Sequence, residues 1–155
     1  MRIGFGYDVH ALIEGRELWL GGIKIDYPYG LMGHSDADVL IHAICDALLG
    51  AANMRDIGYH FPDTSGDYKD IDSKILLLET MCLIREAGYE LGNIDATIAA
   101  EQPKLNPHIP EMQKVLAEVM GVPINDISIK ATTTEQLGFI GRREGIAAYA
   151  VVLIK

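Results

Sequence analysis

Asp8 and His10 lie two positions apart at the end of the opening apolar segment, and they give the strongest sign of chemistry in this sequence. Side chains alternate across a β-strand, so residues two apart point to the same face. A carboxylate and an imidazole on one rigid element form half of a transition-metal site. His42, within a predicted helix, would supply a third ligand. Three protein ligands leave a fourth position open, which is typical of catalytic zinc.

Two acidic residues flank His42 at helical spacing. Asp38 precedes it by four residues and Asp46 follows it by four, so each lies about one helical turn away. Either carboxylate could orient the imidazole nitrogen that does not bind the metal. The spacing favours neither of them.

A second group of polar residues lies near the C-terminal end. Residues 130–135 (KATTTE) predict the end of a strand followed by a turn. Three hydroxyls and the backbone N–H groups could surround a phosphate, while Glu135 could bind a hard cation such as Mg²⁺. Lys104, in a proline-containing loop, adds a positive charge. Gly4 and Gly6 resemble part of a phosphate loop, but the full fingerprint is missing, so they predict close backbone packing instead.

The elements that must position these residues follow from hydrophobic periodicity and capping signals. We expect strands over residues 1–8, 91–101, 126–131 and 144–154, and a short hairpin over residues 18–27. We expect helices over residues 36–50, 70–87 and 107–120, and an irregular stretch over residues 51–69, long enough to be functional. The first helix should have Ser35 as its N-cap and Asp36 and Asp38 in its first turn; the second should start at Asp70 or Asp72.

These elements predict an α/β (α+β) fold with a mixed sheet, helices packed on one face and a small β-hairpin. The last strand has too few polar positions for a solvated face, so it should be central or at a subunit interface. At 155 residues, the chain should form a single domain over residues 1–155.

Composition limits the partners. A net charge of −9 argues against nucleic acid, although bound cations would let an acidic protein hold a phosphorylated ligand. No apolar run is long enough for a membrane helix, and no signal peptide is recognisable. We therefore expect a cytoplasmic protein, or an organellar one whose transit peptide is absent. Cys45 and Cys82 both fall in apolar helical patterns and predict buried free thiols.

Taken together, these motifs resemble the 2-C-methyl-D-erythritol 2,4-cyclodiphosphate synthase family, nearly from end to end. The matching segments are residues 6–10 (GYDVH), 34–38 (HSDAD), 46–51 (DALLGA), 56–58 (DIG), 61–64 (FPDT), 107–110 (PHIP), 130–135 (KATTTE) and 137–142 (LGFIGR). The resemblance implies cyclisation of 4-diphosphocytidyl-2-C-methyl-D-erythritol 2-phosphate with release of CMP, in the non-mevalonate isoprenoid pathway. It also implies a homotrimer with active sites between adjacent subunits and a central apolar channel.

The resemblance further assigns roles to individual residues. Asp8, His10 and His42 would hold zinc, Glu135 would hold Mg²⁺ or Mn²⁺ with the substrate phosphates, and His34 and Thr133 would stabilise the transition state. Substrate contacts are also expected from Asp8, His10, His34, Ser35, Asp56, Ile57, Gly58, Phe61, Pro62, Asp63, Thr64, Ser65, Ala100, Glu101, Gln102, Pro103, Lys104, Leu105, Asn106, Ala131, Thr132, Thr133, Thr134, Glu135, Phe139 and Arg142.

The trimer channel carries a separate expectation. Phe139 and Arg142 would line it, and three converging arginines would call for an anion, such as an isoprenoid diphosphate. Alternatively, Arg142 simply pairs with Glu144 or with another carboxylate at the rim of the channel.

Two other functions are compatible with the same residues. A metal-dependent phosphohydrolase would use the same Asp/His/His site with a water nucleophile, and would need no cytidine pocket near Lys104. A non-catalytic trimeric module would bind a diphosphate through Phe139 and Arg142, and its binding would survive the loss of His42.

Overall fold

The computed structural model describes residues 1–62 and 70–155. The strands found there are β1 (Arg2–Glu14), β2 (Leu18–Leu20), β3 (Ile23–Ile25), β4 (Tyr29–Leu31), β5 (Leu91–Ala99), β6 (Ile127–Thr132) and β7 (Gly145–Ile154). The α-helices found there are α1 (Val39–Ala51), α2 (Ile57–His60), α3 (Ser73–Glu86), α4 (Ile109–Met120) and α5 (Gly138–Gly141). Single 3₁₀ turns lie at Asn106–His108 and Ile124–Asp126.

Five strands form one mixed sheet in the order β4-β1-β7-β5-β6, and β2 and β3 form a separate hairpin. β5 and β6 run parallel, while the other neighbours in the sheet are antiparallel. The predicted α/β class, mixed sheet and hairpin are therefore confirmed. β7 lies in the middle of the sheet, as its apolar sequence predicts.

Helix α1 packs directly on the sheet, across β1 and β7, and α3 packs against α1. Gly4 and Gly6 allow this contact. A Cβ atom added at Gly4 would lie 1.8 Å from the carbonyl oxygen of Ala47, and one added at Gly6 would lie 1.9 Å from that of Ala43. The glycines therefore serve close backbone packing, as predicted, and they bring α1 against the strand that carries Asp8 and His10.

The opposite face of the sheet exposes apolar side chains. We call this the apolar sheet face, and its members, between 39% and 73% exposed, are Ile3, Phe5, Tyr7, Val9, Tyr149 and Val151. The one-turn helix α5 packs Ile140 against Ala99 and Ala147 at one end of the sheet. In the single chain, the apolar sheet face is far more apolar than a solvated strand surface usually is.

Several predicted boundaries are wrong. β1 continues to Glu14 rather than ending at residue 8, because Leu12 to Glu14 pair with β4. α1 begins at Val39, not at residue 36. Ala37 has a left-handed φ of 58°, which interrupts a helix, and the N-cap is Asp38, whose carboxylate accepts a hydrogen bond from the backbone N–H of Ile41.

The other boundaries differ less. Asp72, one of the two predicted starts, caps α3 through the N–H of Lys74. The stretch predicted to be irregular contains the short helix α2 in its described part. Gly121 ends α4 with a φ of 62°, as expected for a glycine at a helix C-terminus. Cys45 is buried, but the prediction for Cys82 is wrong, because it lies on the exposed side of α3.

Over residues 1–62 and 70–155, no helix combines the length and apolar character required to cross a membrane.

Candidate active site

Asp8, His10 and His42 come together where β1 faces α1. Asp8 and His10 share the strand face that carries Gly4 and Gly6, and His42 precedes Ala43, the residue that Gly6 contacts. Asp8 Oδ2 lies 2.9 Å from His10 Nε2 and 3.0 Å from His42 Nδ1, and the two ring nitrogens are 3.3 Å apart. Bonds of about 2.0–2.1 Å to a tetrahedral zinc ion would place its ligand atoms about 3.3 Å apart. The triad therefore fits a small divalent metal ion.

The ring of His10 is oriented by the backbone. Its Nδ1 donates a hydrogen bond to the carbonyl oxygen of Met32, 2.8 Å away, which leaves Nε2 directed at Asp8 and His42. A carbonyl can only accept, so this contact fixes the tautomer in which Nε2 is the ligating atom.

The ring of His42 is not oriented by either predicted carboxylate. Asp38 is fully buried and accepts hydrogen bonds from the backbone N–H groups of Gly21 and Gly22, at 2.9 and 2.7 Å. It therefore ties α1 to the β2–β3 hairpin. Asp46 accepts from the N–H of Ile57 at 2.7 Å and thereby fixes the start of α2.

Two hydroxyl groups replace the predicted carboxylates. His42 Nε2 lies 3.0 Å from Ser73 Oγ and 3.2 Å from Ser35 Oγ. Ser73 was missed because it is the first residue of α3, 31 positions away, and no spacing in the sequence connects it with His42.

The triad forms a charged group in the absence of metal. Burial alone would raise the pKa of Asp8, but its close contacts with the rings of His10 and His42 outweigh burial and hold that pKa far below its ordinary value. Burial lowers the pKa of His10, yet the hydrogen bond and charge of Asp8 raise it overall. A proton on His10 therefore stabilises the metal-free site, and a metal ion must displace it.

A first cavity of about 230 Å³ surrounds the triad. The predicted site residues that line it are Asp8, His10, His34, Ser35, His42, Ile57, Gly58 and Phe61. Sequence reasoning did not assign its other lining residues, Gly33, Asp46, Ile71 and Leu76, to a pocket. Asp56 and Pro62 do not line it, although they directly flank residues that do, and the predicted contacts Asp63, Thr64 and Ser65 lie outside the described residues.

His34 lines this cavity and carries an unpaired ring nitrogen in the described part of the chain. Its Nε2 is buried and has no hydrogen-bond partner among the residues that the structure describes. A buried polar atom without a partner is costly, and because His34 is one of the cavity-lining residues, a bound ligand is a partner that could satisfy it.

A second cavity of about 420 Å³ collects most of the other predicted contacts. They are Ala100, Glu101, Pro103, Lys104, Leu105, Asn106, Ala131, Thr132 and Thr133. Gln102, Thr134 and Glu135 do not line it. The carboxylate of Glu101 accepts hydrogen bonds from the backbone N–H groups of Thr134 and Gln136, at 2.9 and 3.0 Å, and so shapes the threonine-rich turn.

The sheet keeps these two groups apart within one chain. Across the strands, Val9 pairs with Ala147, Ala147 with Ala99, and Ala99 with Thr132. Three strand spacings separate Val9 from Thr132, which is roughly 14 Å. A single chain therefore does not bring Thr132 and Thr133 against Asp8 and His10.

The remaining predicted residues, Glu135, Phe139 and Arg142, lie between β6 and β7. Thr133 Oγ1 donates to the exposed carboxylate of Glu135 at 3.0 Å. Phe139 is 40% exposed. Arg142 pairs with Glu144 at 2.8 Å, and both side chains are more than half exposed. In the single chain, Arg142 therefore has the partner that the alternative interpretation predicted, and it is not buried.

Fold and site together define an α/β protein whose central sheet and first helix present a three-ligand metal geometry in a cavity. The family model described as the YgbB family matches residues 1–155. A 2-C-methyl-D-erythritol 2,4-cyclodiphosphate synthase of Parabacteroides distasonis is 79% identical over 100% of this chain and 96% of that protein. One of Bacteroides fragilis is 73% identical over 99% and 97%.

Solved structures of proteins with the same enzyme name have the same fold as this chain. A 2C-methyl-D-erythritol-2,4-cyclodiphosphate synthase in a CDP-bound form has a TM-score of 0.92 and 38% identity, covering 99% of this chain and all of that one. The bifunctional IspDF of Campylobacter jejuni has a TM-score of 0.96 and 45% identity, and the match spans 99% of this chain but only 42% of that longer protein. The chain belongs to the YgbB family, and its two relatives described above are 2-C-methyl-D-erythritol 2,4-cyclodiphosphate synthases.

Proposed function

We propose that this chain converts 4-diphosphocytidyl-2-C-methyl-D-erythritol 2-phosphate into 2-C-methyl-D-erythritol 2,4-cyclodiphosphate and CMP, in the non-mevalonate route to isoprenoids. The observation that carries the proposal is the triad of Asp8, His10 and His42, with ligand atoms 2.9 to 3.3 Å apart inside a cavity. Relatives that are 70% or more identical and bear the name of this enzyme support the choice of substrate.

The reaction is an intramolecular phosphoryl transfer. An oxygen of the 2-phosphate attacks the β-phosphorus, the bond between that phosphorus and the bridging oxygen breaks, and CMP leaves with that oxygen. Because both reacting groups belong to one molecule, folding the substrate correctly can supply an effective molarity on the order of 10⁵ M or more. No protein nucleophile is needed, and burial raises the pKa of the Cys45 thiol to about 12, which makes it a poor one.

The metal centres follow from the donor atoms. Zinc at Asp8, His10 and His42, and Mg²⁺ or Mn²⁺ at Glu135, would supply positive charge to offset the charge on the phosphates. Without such cations, a chain of net charge −9 would repel this substrate.

The protein's own groups bind and orient the substrate. His34 would donate from Nε2, which has no partner among the described residues, to charge that develops on a phosphate oxygen, and Thr133 would do so from its hydroxyl. Ser35, with the contacts proposed over residues 56–58 and 61–65, would hold the methylerythritol part. The second cavity, with residues 100–106 and 131–135, would hold the cytidine and its phosphates. Two similar solved structures are CDP complexes, which supports recognition of a cytidine nucleotide.

We propose a homotrimer in which the two cavities meet across a subunit boundary. Two features support it: the roughly 14 Å between Val9 and Thr132 within one chain, and the uncovered apolar sheet face. Burying Ile3, Phe5 and their neighbours against adjacent subunits would remove that surface from water. It would also place Phe139 and Arg142 near a shared axis, where an isoprenoid diphosphate could bind.

Phosphorus NMR of the product tests the reaction. The zinc-loaded protein, given the substrate and Mg²⁺, should produce a pair of coupled cyclic diphosphate signals and one CMP per turnover. His42→Ala provides the matched control and should produce neither. Open-chain phosphates or free inorganic phosphate would instead identify a phosphohydrolase. Substrate binding without turnover, unaffected in His42→Ala, would identify a binding module.

A further inference from the structure

The hydroxyl of Ser73 stands between the metal-facing histidine of α1 and a carboxylate on the preceding loop. It lies 3.0 Å from Nε2 of His42, and it donates its own proton to Oδ1 of Asp36. The backbone N–H of Ser73 also donates to Oδ2 of Asp36, at 2.9 Å. Both carboxylate oxygens of Asp36 therefore bind Ser73, and Oδ1 also accepts the backbone N–H of Asp38 at 3.2 Å. Ser73 has no exposed surface.

This arrangement decides which nitrogen of His42 carries the proton. A serine hydroxyl has one proton to donate. Because that proton goes to a carboxylate, the lone pairs of Ser73 Oγ remain for His42, whose Nε2 must then be the donor. Nδ1 is left without a proton, and it is the atom that faces Asp8 and His10.

We propose that Asp36 and Ser73 form a positioning relay that holds His42 in its metal-binding tautomer and orientation. The relay performs for His42 what the carbonyl of Met32 performs for His10. It differs because the Asp36 carboxylate holds the hydroxyl of Ser73, and a hydrogen bond to a charged group is stronger than one between neutral groups. Neither Asp36 nor Ser73 faces the other two ligands, so both act through the ring of His42 and are positioning residues. The proposal rests on the metal site assigned under the proposed function.

Ser35 is a weaker candidate for the partner that orients His42. Its Oγ lies 3.2 Å from His42 Nε2 and accepts the backbone N–H of Ala37 at 3.1 Å. Over residues 1–62 and 70–155, no carboxylate accepts its proton, so the geometry does not oblige Ser35 to accept from His42. Ser73 is therefore the member whose loss should release the ring.

Zinc affinity, measured by competition with a chromogenic chelator, tests the relay. Ser73→Ala should weaken zinc binding about 10- to 100-fold, the usual effect of removing such an outer partner. Asp36→Asn, which keeps the shape but removes the charge, should weaken it in the same direction by less. Ser73→Thr, which keeps the hydroxyl, should bind zinc more tightly than Ser73→Ala. The matched control is Thr80→Ala, which removes a buried hydroxyl seven residues further along α3, about 10 Å away.

A second readout separates positioning from general loosening of α3. In the zinc-loaded protein, the His42 Nε2–H proton should be visible by NMR and slow to exchange with water. In Ser73→Ala it should exchange faster, while Thr80→Ala should leave it unchanged. If Ser73→Ala and Asp36→Asn both bind zinc within twofold of the unmodified chain and keep a slowly exchanging proton, the relay is refuted while the proposed function stands. If His42→Ala binds zinc as tightly as the unmodified chain, both the metal site and the relay are wrong.

Discussion

Gly6→Ala is the sharpest test of how the sheet and α1 build the metal site together. The added Cβ would lie 1.9 Å from the carbonyl oxygen of Ala43, and Cβ atoms essentially never come closer than 3.0 Å to such neighbours. The carbonyl oxygen is a backbone atom, and the position of a Cβ atom is fixed by the backbone, so no side-chain rotation can relieve the contact. The strand and the helix must separate by about 1 Å, and overpacking of this kind costs about 1–3 kcal/mol.

That separation acts directly on the triad. His42 is adjacent to Ala43 on α1, while Asp8 lies two residues after Gly6 on the same face of β1. A metal site tolerates deviations of about 0.2 Å in its ligand distances. We therefore expect Gly6→Ala to lower the melting temperature by roughly 2–12 °C and to weaken zinc binding at least about tenfold.

Gly50→Ala is the matched control. Gly50 lies on the same helix and is exposed, and a Cβ atom added there would meet nothing within 4 Å beyond its own helix turn. Alanine is favoured over glycine in a helix by up to about 1 kcal/mol, so this variant should be as stable as the parent or more so, with unchanged zinc affinity. Differential scanning calorimetry and chelator competition measure both quantities. A Gly6→Ala protein with the parent's melting temperature and zinc affinity would refute the idea that α1 is held against β1 by backbone contact.

Three further predictions concern the site and the assembly. His42→Ala should weaken zinc binding more than about 100-fold and abolish CMP release, while the far-ultraviolet circular dichroism stays unchanged. Full zinc content with normal turnover would show that the assigned metal site is wrong. Inactive His42→Ala chains mixed with inactive Lys104→Ala chains should regain some activity once subunits have exchanged, because hybrid interfaces contain one intact site; exchanged trimers without activity would place the site within one chain. In the metal-free protein, the raised pKa of His10 contributes stability below about pH 6.5 that is lost as pH rises through that pKa, and the lowered pKa of Asp8 contributes stability that is lost only in strong acid. The difference in melting temperature between the parent and His10→Gln, both in EDTA, should therefore shrink towards alkaline pH, while the zinc affinity of the parent rises. A zinc affinity that is independent of pH between about 5.5 and 8 would contradict this.

A last prediction concerns the proposed channel. Geranyl diphosphate should bind at one molecule per trimer by native mass spectrometry, and Arg142→Ala should lose it. Because Arg142 is paired with Glu144 in the single chain, a diphosphate must compete with that carboxylate. Three molecules per trimer that compete with substrate, or no binding at all, would favour the simple ion pair.

Local pattern was enough to predict much of the fold. The hairpin around Gly21 and Gly22, the order of the longer helices and strands, and the central position of β7, one of the two expected for it, follow from periodicity and turn residues, which depend on neighbours in the chain. The grouping of Asp8 and His10 was predictable for the same reason, since strand alternation is a local rule. His42 was proposed as the third ligand from its place in a predicted helix, while the substrate contacts came only from the end-to-end family resemblance.

Tertiary structure decided what local pattern left open or gave wrongly. Asp38 and Asp46 have equal spacing from His42, but one is drawn to the hairpin and the other to α2, because buried carboxylates bind the backbone N–H groups that packing brings to them. The partner of His42 is instead Ser73, which reaches it only because α3 packs on α1. Asp38 caps α1 through the N–H of Ile41 and also accepts the N–H groups of Gly21 and Gly22, so one carboxylate serves both the start of α1 and the contact with the hairpin. Periodicity predicts which face of its own helix or strand a residue occupies. Packing determines which residues of different elements come into contact, and the metal site combines residues of β1 and α1.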